Sequence, residues 1–173
     1  MLRVSNKKDL AVLKMMKKIT TKSQNPYNQF TEFFYKKEDK ITVTDGKRLM
    51  SYTVGEDSFS QLKDLKDGLF QLVKDTVYPV EEIIQYPDVS SFFKRMPKEP
   101  SFEISDSVSH TCYLIATKLD KIINVFYLQD LDYKTFPEWE VYSEETPEEK
   151  YSLTFFVPVS HPDIVFLTMP MKK

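Results

Sequence analysis

Residues 40–54 read KITVTDGKRLMSYTV and carry the strongest local signal in the chain. Residues 40–44 and 49–54 are rich in β-branched and aromatic side chains, which favours strands. Asp45-Gly46 between them is typical of a hairpin turn, because glycine tolerates the positive φ that tight turns need. Taken alone, this turn needs no role beyond reversing the chain. The stretch predicts an antiparallel strand pair, and therefore a sheet.

The composition is that of an ordinary globular protein. The chain has 173 residues, of which 41% are hydrophobic and 29% charged, so we expect one domain over residues 1–173. The formal charge of -2 excludes a strongly basic chain but allows a local basic face. A single cysteine, Cys112, excludes an internal disulfide and fits a reducing cytoplasm. No apolar run approaches the ~20 residues that cross a bilayer, and the N-terminus lacks a signal-peptide pattern. We therefore expect a cytoplasmic protein with no membrane partner.

Residues for catalysis, metals or cofactors do not gather into a recognisable pattern. The three glycines are too few for a phosphate-cradling loop. His110 and His161 lie far apart in polar, turn-like contexts.

Cys112 falls within an apparent strand and is expected in the core. Residues 144–149 form an acidic turn that is better explained by solvation than by a cation site. Asp130 and Asp132 are poorly spaced for a paired acid and base. We expect no metal, no cofactor and no enzymatic activity, although a site built from distant residues stays open as an alternative.

The first helix is predicted over residues 7–19, capped by Asn6 and with Asp9 near its positive end. At 100° per residue, Val12, Leu13, Met16 and Ile19 share one face. The opposite face carries Lys7, Lys14 and Lys18, flanked by Lys8 and Lys17. The candidates for DNA contact are Lys7, Lys14, Lys17 and Lys18. These lysines either solvate an exposed helix face or contact DNA phosphates, since no acidic residue follows Asp9 to offset their repulsion.

Further elements follow from short patterns of hydrophobic and turn residues. A short helix is expected over 62–68, after a capping box formed by Ser58 and Gln61, and another over 127–133. Pro79 predicts an edge or bulge in its strand. The remaining strands are expected at residues 2–5, 30–35, 69–73, 77–86, 111–117, 122–126, 138–143, 151–158 and 164–169.

This order suggests an α+β fold with two pseudo-symmetric strand-helix-strands halves, with helices on one face of an antiparallel sheet. The halves are roughly 1–86 and 101–173, joined by a proline-bounded connector over 87–100.

Three segments in chain order resemble the bacterial DNA polymerase III beta sliding clamp. Residues 44–49, TDGKRL, resemble that family's Thr-Asp-Gly-His-Arg-Leu, with Lys47 in place of histidine. Residues 85–89, QYPDV, leading to Phe92, resemble its Phe-Pro-Asp-Tyr segment, and residues 167–172, LTMPMK, resemble its Met-Pro-Met-Arg chain end. Residues 124–131 also look like the family's strand and helix start before its last strands. With the order of elements, the likeness covers most of the chain.

The resemblance implies a DNA-clamp-like fold and a non-catalytic processivity factor. In the family these segments line a hydrophobic pocket for short linear motifs of DNA polymerases and clamp loaders. The matching peptide-binding candidates here are Thr44, Gly46, Arg48, Leu49, Pro87, Phe92, Leu167, Met169, Pro170 and Met171. The resemblance also implies that the lysine-faced helix lines a ring and contacts double-stranded DNA without reading its sequence.

Chain length leaves two assemblies open. A family ring needs six similar domains, and this chain has room for about one, so a ring requires a homo-oligomer. The alternative is a monomeric, degenerate clamp domain that acts as a protein-interaction module.

Overall fold

The computed structural model describes residues 1–21, 26–55, 59–82, 84–105, 108–144 and 152–169. The chain divides into two compact units, Met1–Pro87 and Asp88–Lys173. Each unit combines helices with strands, and every described strand pairing is antiparallel. The predicted α+β class is confirmed by these elements.

The described residues of the first unit form six strands and one long helix. Strand β1 (Leu2–Arg3) precedes helix α1 (Lys7–Ile19), and a 3-10 helix (Pro26–Glu32) precedes β2 (Phe34–Lys37), β3 (Lys40–Thr44), β4 (Arg48–Thr53), β5 (Gly68–Val73) and β6 (Thr76–Val80). The strands lie in the order β1-β6-β5-β2-β3-β4. Helix α1 packs against β3 and β4. The side chains of α1 that were predicted to form its apolar face are buried in the core, and so is the neighbouring Met15.

The hairpin predicted from residues 40–54 is present. Strands β3 and β4 pair from Lys40 with Thr53 to Thr44 with Leu49. Pro79 also lies where its sequence context suggested. It sits opposite Phe70 of β5, beyond the two residues of β6 that pair with β1. The missing N–H of Pro79 therefore interrupts no described hydrogen bond on the β1 side.

The second unit begins with helix α2 (Ser90–Phe93) and strand β7 (Phe102–Ser105), followed by helices α3 (Val108–Leu119) and α4 (Val125–Leu128). Strands β8 (Glu138–Ser143), β9 (Thr154–Pro158) and β10 (Ile164–Thr168) complete it. The strand order is β10-β9-β8-β7. Its core is built on Trp139, Phe155, Phe156 and Phe166, all of them buried.

Two predicted strands of the second unit were wrong. Residues 111–117 belong to helix α3, and residues 122–126 are irregular up to the start of α4 at Val125. The buried side chains of α3 are Thr111 and Ile115, whose spacing of four residues is helical, not alternating. Cys112 is therefore half-buried on a helix instead of lying in a strand core.

Other predicted boundaries shift in the structure. Residues 61–64 form a turn where the short helix was expected. Residues 26–32 are a 3-10 helix where a strand was expected to begin at 30, and the strand from 77 ends at Val80. The helix expected over 127–133 is α4, which begins and ends earlier. Ser58 of the predicted capping box lies outside the described residues. Its expected partner Gln61 instead accepts hydrogen bonds from the backbone N–H groups of Ser5 and Asn6, both at 2.7 Å.

Candidate functional site

The lysine face of α1 is exposed as the periodicity predicts. Asn6 caps the helix, its side chain accepting from the N–H groups of Lys8 at 2.9 Å and Asp9 at 3.2 Å. The candidate DNA contacts are all solvent-exposed: Lys7, Lys14, Lys17 and Lys18. The four cations thus lie along one accessible helix surface about 16 Å long, at 1.5 Å per residue.

Asp9, the only acidic residue of α1, is absent from that surface because it is fully buried. Its Oδ1 accepts a hydrogen bond from the Tyr52 hydroxyl at 2.7 Å, and its Oδ2 accepts one from the Gln61 N–H, also at 2.7 Å. A buried carboxylate needs such donors to offset the loss of water. Sequence reasoning placed Asp9 correctly in the first turn but carried no signal for these partners, which are more than 40 residues away.

Lys8 differs from the other lysines of α1. Its ammonium lies 5.5 Å from the centre of the Tyr52 ring, a cation–π distance, and its side chain is half-buried. Tyr52 therefore contacts Lys8 with its ring and Asp9 with its hydroxyl. The exposed face consists of the four candidate lysines, with Lys8 set toward strand β4.

The turn at residues 44–48 is fixed by its own side chains. Asp45 Oδ1 accepts from the N–H groups of Lys47 at 2.8 Å and Arg48 at 2.7 Å. Thr44 Oγ1 donates to the Arg48 carbonyl at 2.7 Å and accepts from the Gly46 N–H at 3.0 Å. Gly46 has φ +84°, a conformation that strains any residue with a Cβ. The TDGKRL stretch thus forms a rigid turn through local hydrogen bonds.

Arg48 connects this turn to α1. Its Nε lies 2.9 Å from Asp45 Oδ2, and the two side chains are only 10% and 12% exposed. Its Nη2 donates to the Lys18 carbonyl at 3.4 Å, near the C-terminus of α1. Leu49, the next residue, is buried in the core. Arg48 therefore ties the turn to the helix that carries the lysines.

Tyr86, from the second resemblance segment, packs beside the first segment within the first unit. Tyr86 stacks on Tyr35 with 4.7 Å between ring centres and meets Phe30 edge-on at 5.9 Å. Its hydroxyl faces the Thr42 side chain and the Thr44 backbone, but no group in the described part of the chain reaches full hydrogen-bond geometry with it. Burial raises the pKa of Tyr86 above its ordinary value. The structure thus brings Tyr86 next to the strand that ends at Thr44, and Pro87, the next residue, is half-buried.

The remaining peptide-binding candidates belong to the second unit. Phe92 is half-buried in α2, whose first N–H, on Ser90, donates to Asp88 Oδ1 at 2.9 Å. Leu167 is buried in β10 opposite Phe155 of β9, and Met169 is half-buried just after that strand. Pro170 and Met171 lie outside the described residues.

An ionic cluster in the second unit was not foreseen. Arg95 holds the Glu144 carboxylate through two hydrogen bonds, of 2.5 and 2.8 Å, and the Leu153 N–H donates to the same group at 2.8 Å. The Lys121 ammonium donates to Ser143 Oγ and, at 3.1 Å, to the Glu144 carbonyl. Burial lowers the pKa of Lys121, partly opposed by the charge of Glu144.

At Glu144, this cluster corrects the interpretation of residues 144–149 as a solvated acidic turn. The Glu144 side chain is only 10% exposed, because it is held by Arg95 instead of by water. Asp132, considered above with Asp130, accepts hydrogen bonds from the N–H groups of Lys134 and Thr135 and from the Thr135 hydroxyl. The carboxylates of Glu144 and Asp132 thus stabilise the structure around them. The other acidic residues of the turn lie outside the described residues.

The described residues contain no group of three or more His, Cys, Asp or Glu side chains placed to hold a metal ion. His110 is exposed near Tyr113, with 6.5 Å between ring centres, and His161 meets Phe136 edge-on at 5.3 Å. Within the same residues, no helix is both long enough and apolar enough to cross a bilayer.

Comparison with known proteins gives matches among solved structures. No protein-family model matches the chain, and no curated protein matches it. Pol III beta of Caulobacter crescentus is similar in structure, with a TM-score of 0.48 and 11% sequence identity over 95% of this chain. The DnaN sliding clamp, DNA polymerase III subunit beta, of Pseudomonas aeruginosa, solved bound to griselimycin, gives a TM-score of 0.47 and 9% identity, again over 95% of this chain. The chain spans 64% of the length of each of these structures.

Proposed function

We propose that this protein is a non-enzymatic, clamp-like factor that contacts double-stranded DNA through the lysine face of α1. The observation that carries the proposal is the charge on that helix. Four exposed lysines line one surface, while the single carboxylate of the helix is buried and bonded to Tyr52 and Gln61. Exposed like charges repel one another and are relieved by a polyanion. Duplex phosphates supply such a polyanion, and contacts with phosphates are independent of sequence.

We further propose that the turn at residues 44–49 forms part of a groove for short linear motifs, as the sequence resemblance implies. Two features of the first unit support this proposal. The turn is held rigid by Asp45 and Arg48, and Tyr86 packs against the strand leading into it. In the second unit, the resemblance also assigns Phe92, Leu167, Met169, Pro170 and Met171 to motif binding. The ligand would be a peptide with apolar anchors from a DNA polymerase or clamp loader, since methionine, leucine and proline form adaptable apolar grooves.

A charge-reversal experiment tests the DNA contact. We expect the triple variant Lys7→Glu, Lys14→Glu, Lys18→Glu to bind a fluorescent duplex at least about 10-fold more weakly. The slope of log affinity against log salt should fall by about 3, because each lost phosphate contact contributes about 0.9. A matched control reverses three exposed lysines elsewhere in the first unit: Lys37, Lys40 and Lys66. Equal losses in both triples would show that only net charge matters and would remove the proposed DNA face.

Two further measurements test the groove and the assembly. A fluorescent clamp-binding peptide should bind the wild type, and Met171→Ala should weaken it. Absence of binding by the wild type would contradict the proposed groove.

Mass measurement in solution, with and without DNA, should give a homo-oligomer. A strict monomer at high concentration would instead favour the monomeric interaction module.

A further inference from the structure

Helix α3 buries little of its surface within its own unit. Only two of its 12 residues are buried, although a helix of this length needs tertiary packing to be stable in water. Tyr113 of α3 is exposed, and so are Ile122, Val125 and Phe126 of the segment that follows. Helix α4, which begins at Val125, packs against α3. These four residues are called the α3–α4 patch below.

The α3–α4 patch is large enough to form the apolar part of an interface. Tyr113 and Phe126 are 64% and 67% exposed, which leaves roughly 250 Å² in water at about 200 Å² for a whole aromatic side chain. With Ile122 and Val125, the patch reaches the ~300–600 Å² of the apolar patches that are often functional. A standard interface buries about 800 Å² on each partner, a little over half of it apolar. The patch therefore matches one side of such an interface.

The exposed face of α3 is uncharged. Ser109, Tyr113 and Ala116 are spaced by four and three residues, so they lie on one side of the helix, and all three are exposed. Lys118, the only charged residue of α3, follows Ser109 by two and a half turns and lies on the opposite side. Its ammonium is 5.5 Å from the centre of the Phe102 ring of β7. DNA phosphates, an anionic membrane or a charged peptide would therefore find no ionic partner on this face.

The pattern of large and small residues on this face is complementary to itself. Tyr113 lies about one turn from the small residues Ser109 and Ala116 on either side, so the ring of one helix can fill the space above the small residues of another. A two-fold axis through the middle of α3 repeats this contact on both copies. We propose that the α3–α4 patch binds the same patch of a second copy of this chain, forming a symmetric dimer. The inference rests on neither the DNA contact nor the peptide groove, and it gives the proposed homo-oligomer an interface.

Analytical ultracentrifugation tests the dimer. The wild type should be dimeric at high concentration and should dissociate on dilution. Ala116→Glu should weaken dimerisation at least about 100-fold, because two glutamates would face each other near the axis. Glutamate is a good helix former, so α3 should stay folded. The control Val159→Glu changes another exposed hydrophobic residue of the same unit and should dimerise like the wild type.

A charge-swap experiment tests whether the two α3 helices meet. Ala116→Glu and Ala116→Lys should each be monomeric, and an equimolar mixture should regain the dimer, because opposite charges then face each other. The thermal unfolding midpoint of the wild type should rise with protein concentration, whereas the midpoint of each single variant should not. A mixture that stays monomeric would overturn the symmetric pairing of α3.

The outcomes separate this interface from the proposed function. If Ala116→Glu is as oligomeric as the wild type, the α3–α4 patch is not the interface, and the proposed homo-oligomer forms through another surface. A wild type that is monomeric at high concentration overturns both the interface and the homo-oligomer. Duplex binding by Ala116→Glu should still depend on Lys7, Lys14 and Lys18, so a failure of the dimer is distinguishable from a failure of the DNA contact.

Discussion

Helices α1 and α3 are the two long helices of the described structure, and they differ in how they are held. Helix α1 has 13 residues and buries six of them, including Asp9. Helix α3 has 12 residues and buries only Thr111 and Ile115. Helix α1 carries five lysines, whereas α3 carries Lys118 alone. Tertiary packing supplies most of the stability of a helix in a protein. Because the apolar face of α1 is buried, the helix stays folded although its opposite face carries several like charges.

Matched leucine substitutions should show the largest difference between the helices. Leu13→Ala in α1 removes a side chain that is 1% exposed and should lower the free energy of unfolding by about 2–5 kcal/mol, through lost burial and a cavity. Leu114→Ala in α3 removes a half-buried side chain and should cost clearly less. Denaturant unfolding measures both. Equal losses would mean that α3 is as firmly packed as α1.

The buried carboxylate of α1 gives the next effect. In Asp9→Asn an amide NH₂ must face either the Tyr52 hydroxyl or the Gln61 N–H, which both donate to Asp9. One buried donor is left unsatisfied, at a cost of about 1–3 kcal/mol.

A double-mutant cycle tests whether this cost comes from the Tyr52 contact. Asp9→Asn combined with Tyr52→Phe should cost less than the sum of the single variants, because the two groups interact directly. If the losses in free energy of unfolding are additive, the cost of Asp9→Asn does not come from its contact with Tyr52.

A pH titration contrasts the exposed lysines of α1 with Lys121 of the second unit. Burial lowers the pKa of Lys121 below its ordinary value of 10.5, so between the two values the unfolded chain binds more protons than the folded one. Stability attributable to this group should therefore rise with pH up to about 10.5. The difference in unfolding midpoint between wild type and Lys121→Met should show this trend. The control Lys14→Met removes an exposed lysine of α1, and a trend of the same size there would contradict the role of burial.

The smallest expected effect concerns repulsion along the lysine face. Lys14→Glu places a glutamate four residues before Lys18 and should raise the free energy of unfolding by about 0.3–0.5 kcal/mol. The same change should weaken DNA binding. Added salt should stabilise the wild type more than the variant, because salt screens repulsion in one and attraction in the other. A loss of stability at low salt would show that the lysines do not repel one another appreciably.

The contrast between the helices also explains which elements were predictable. Helix α1 has a capping Asn6 and a full apolar face, and strands β3 and β4 flank an Asp-Gly turn, so local signals were sufficient there. Helix α3 has a weaker pattern. Cys112, Leu114 and Ala116 alternate with other apolar residues, and short apolar runs do not distinguish strand from helix.

The candidate site was predictable only where it depends on local sequence. The lysine face follows from helical periodicity, and the turn at Thr44–Arg48 follows from its residue types. The partners of Asp9, the bond from Arg48 to the Lys18 carbonyl and the packing of Tyr86 on Tyr35 all join residues 30 or more positions apart. Such contacts are set by tertiary structure, and a single sequence contains no periodic signal for them.

Trp139 gives the second unit its own spectroscopic reporter. It is the only tryptophan in the chain, fully buried, and its indole N–H donates to the Phe136 carbonyl at 2.7 Å. Its fluorescence therefore responds to unfolding of the second unit, whereas far-ultraviolet circular dichroism responds to both. Coincident transitions would show that the two units unfold as one cooperative body, and separate transitions would give each unit a measurable stability of its own.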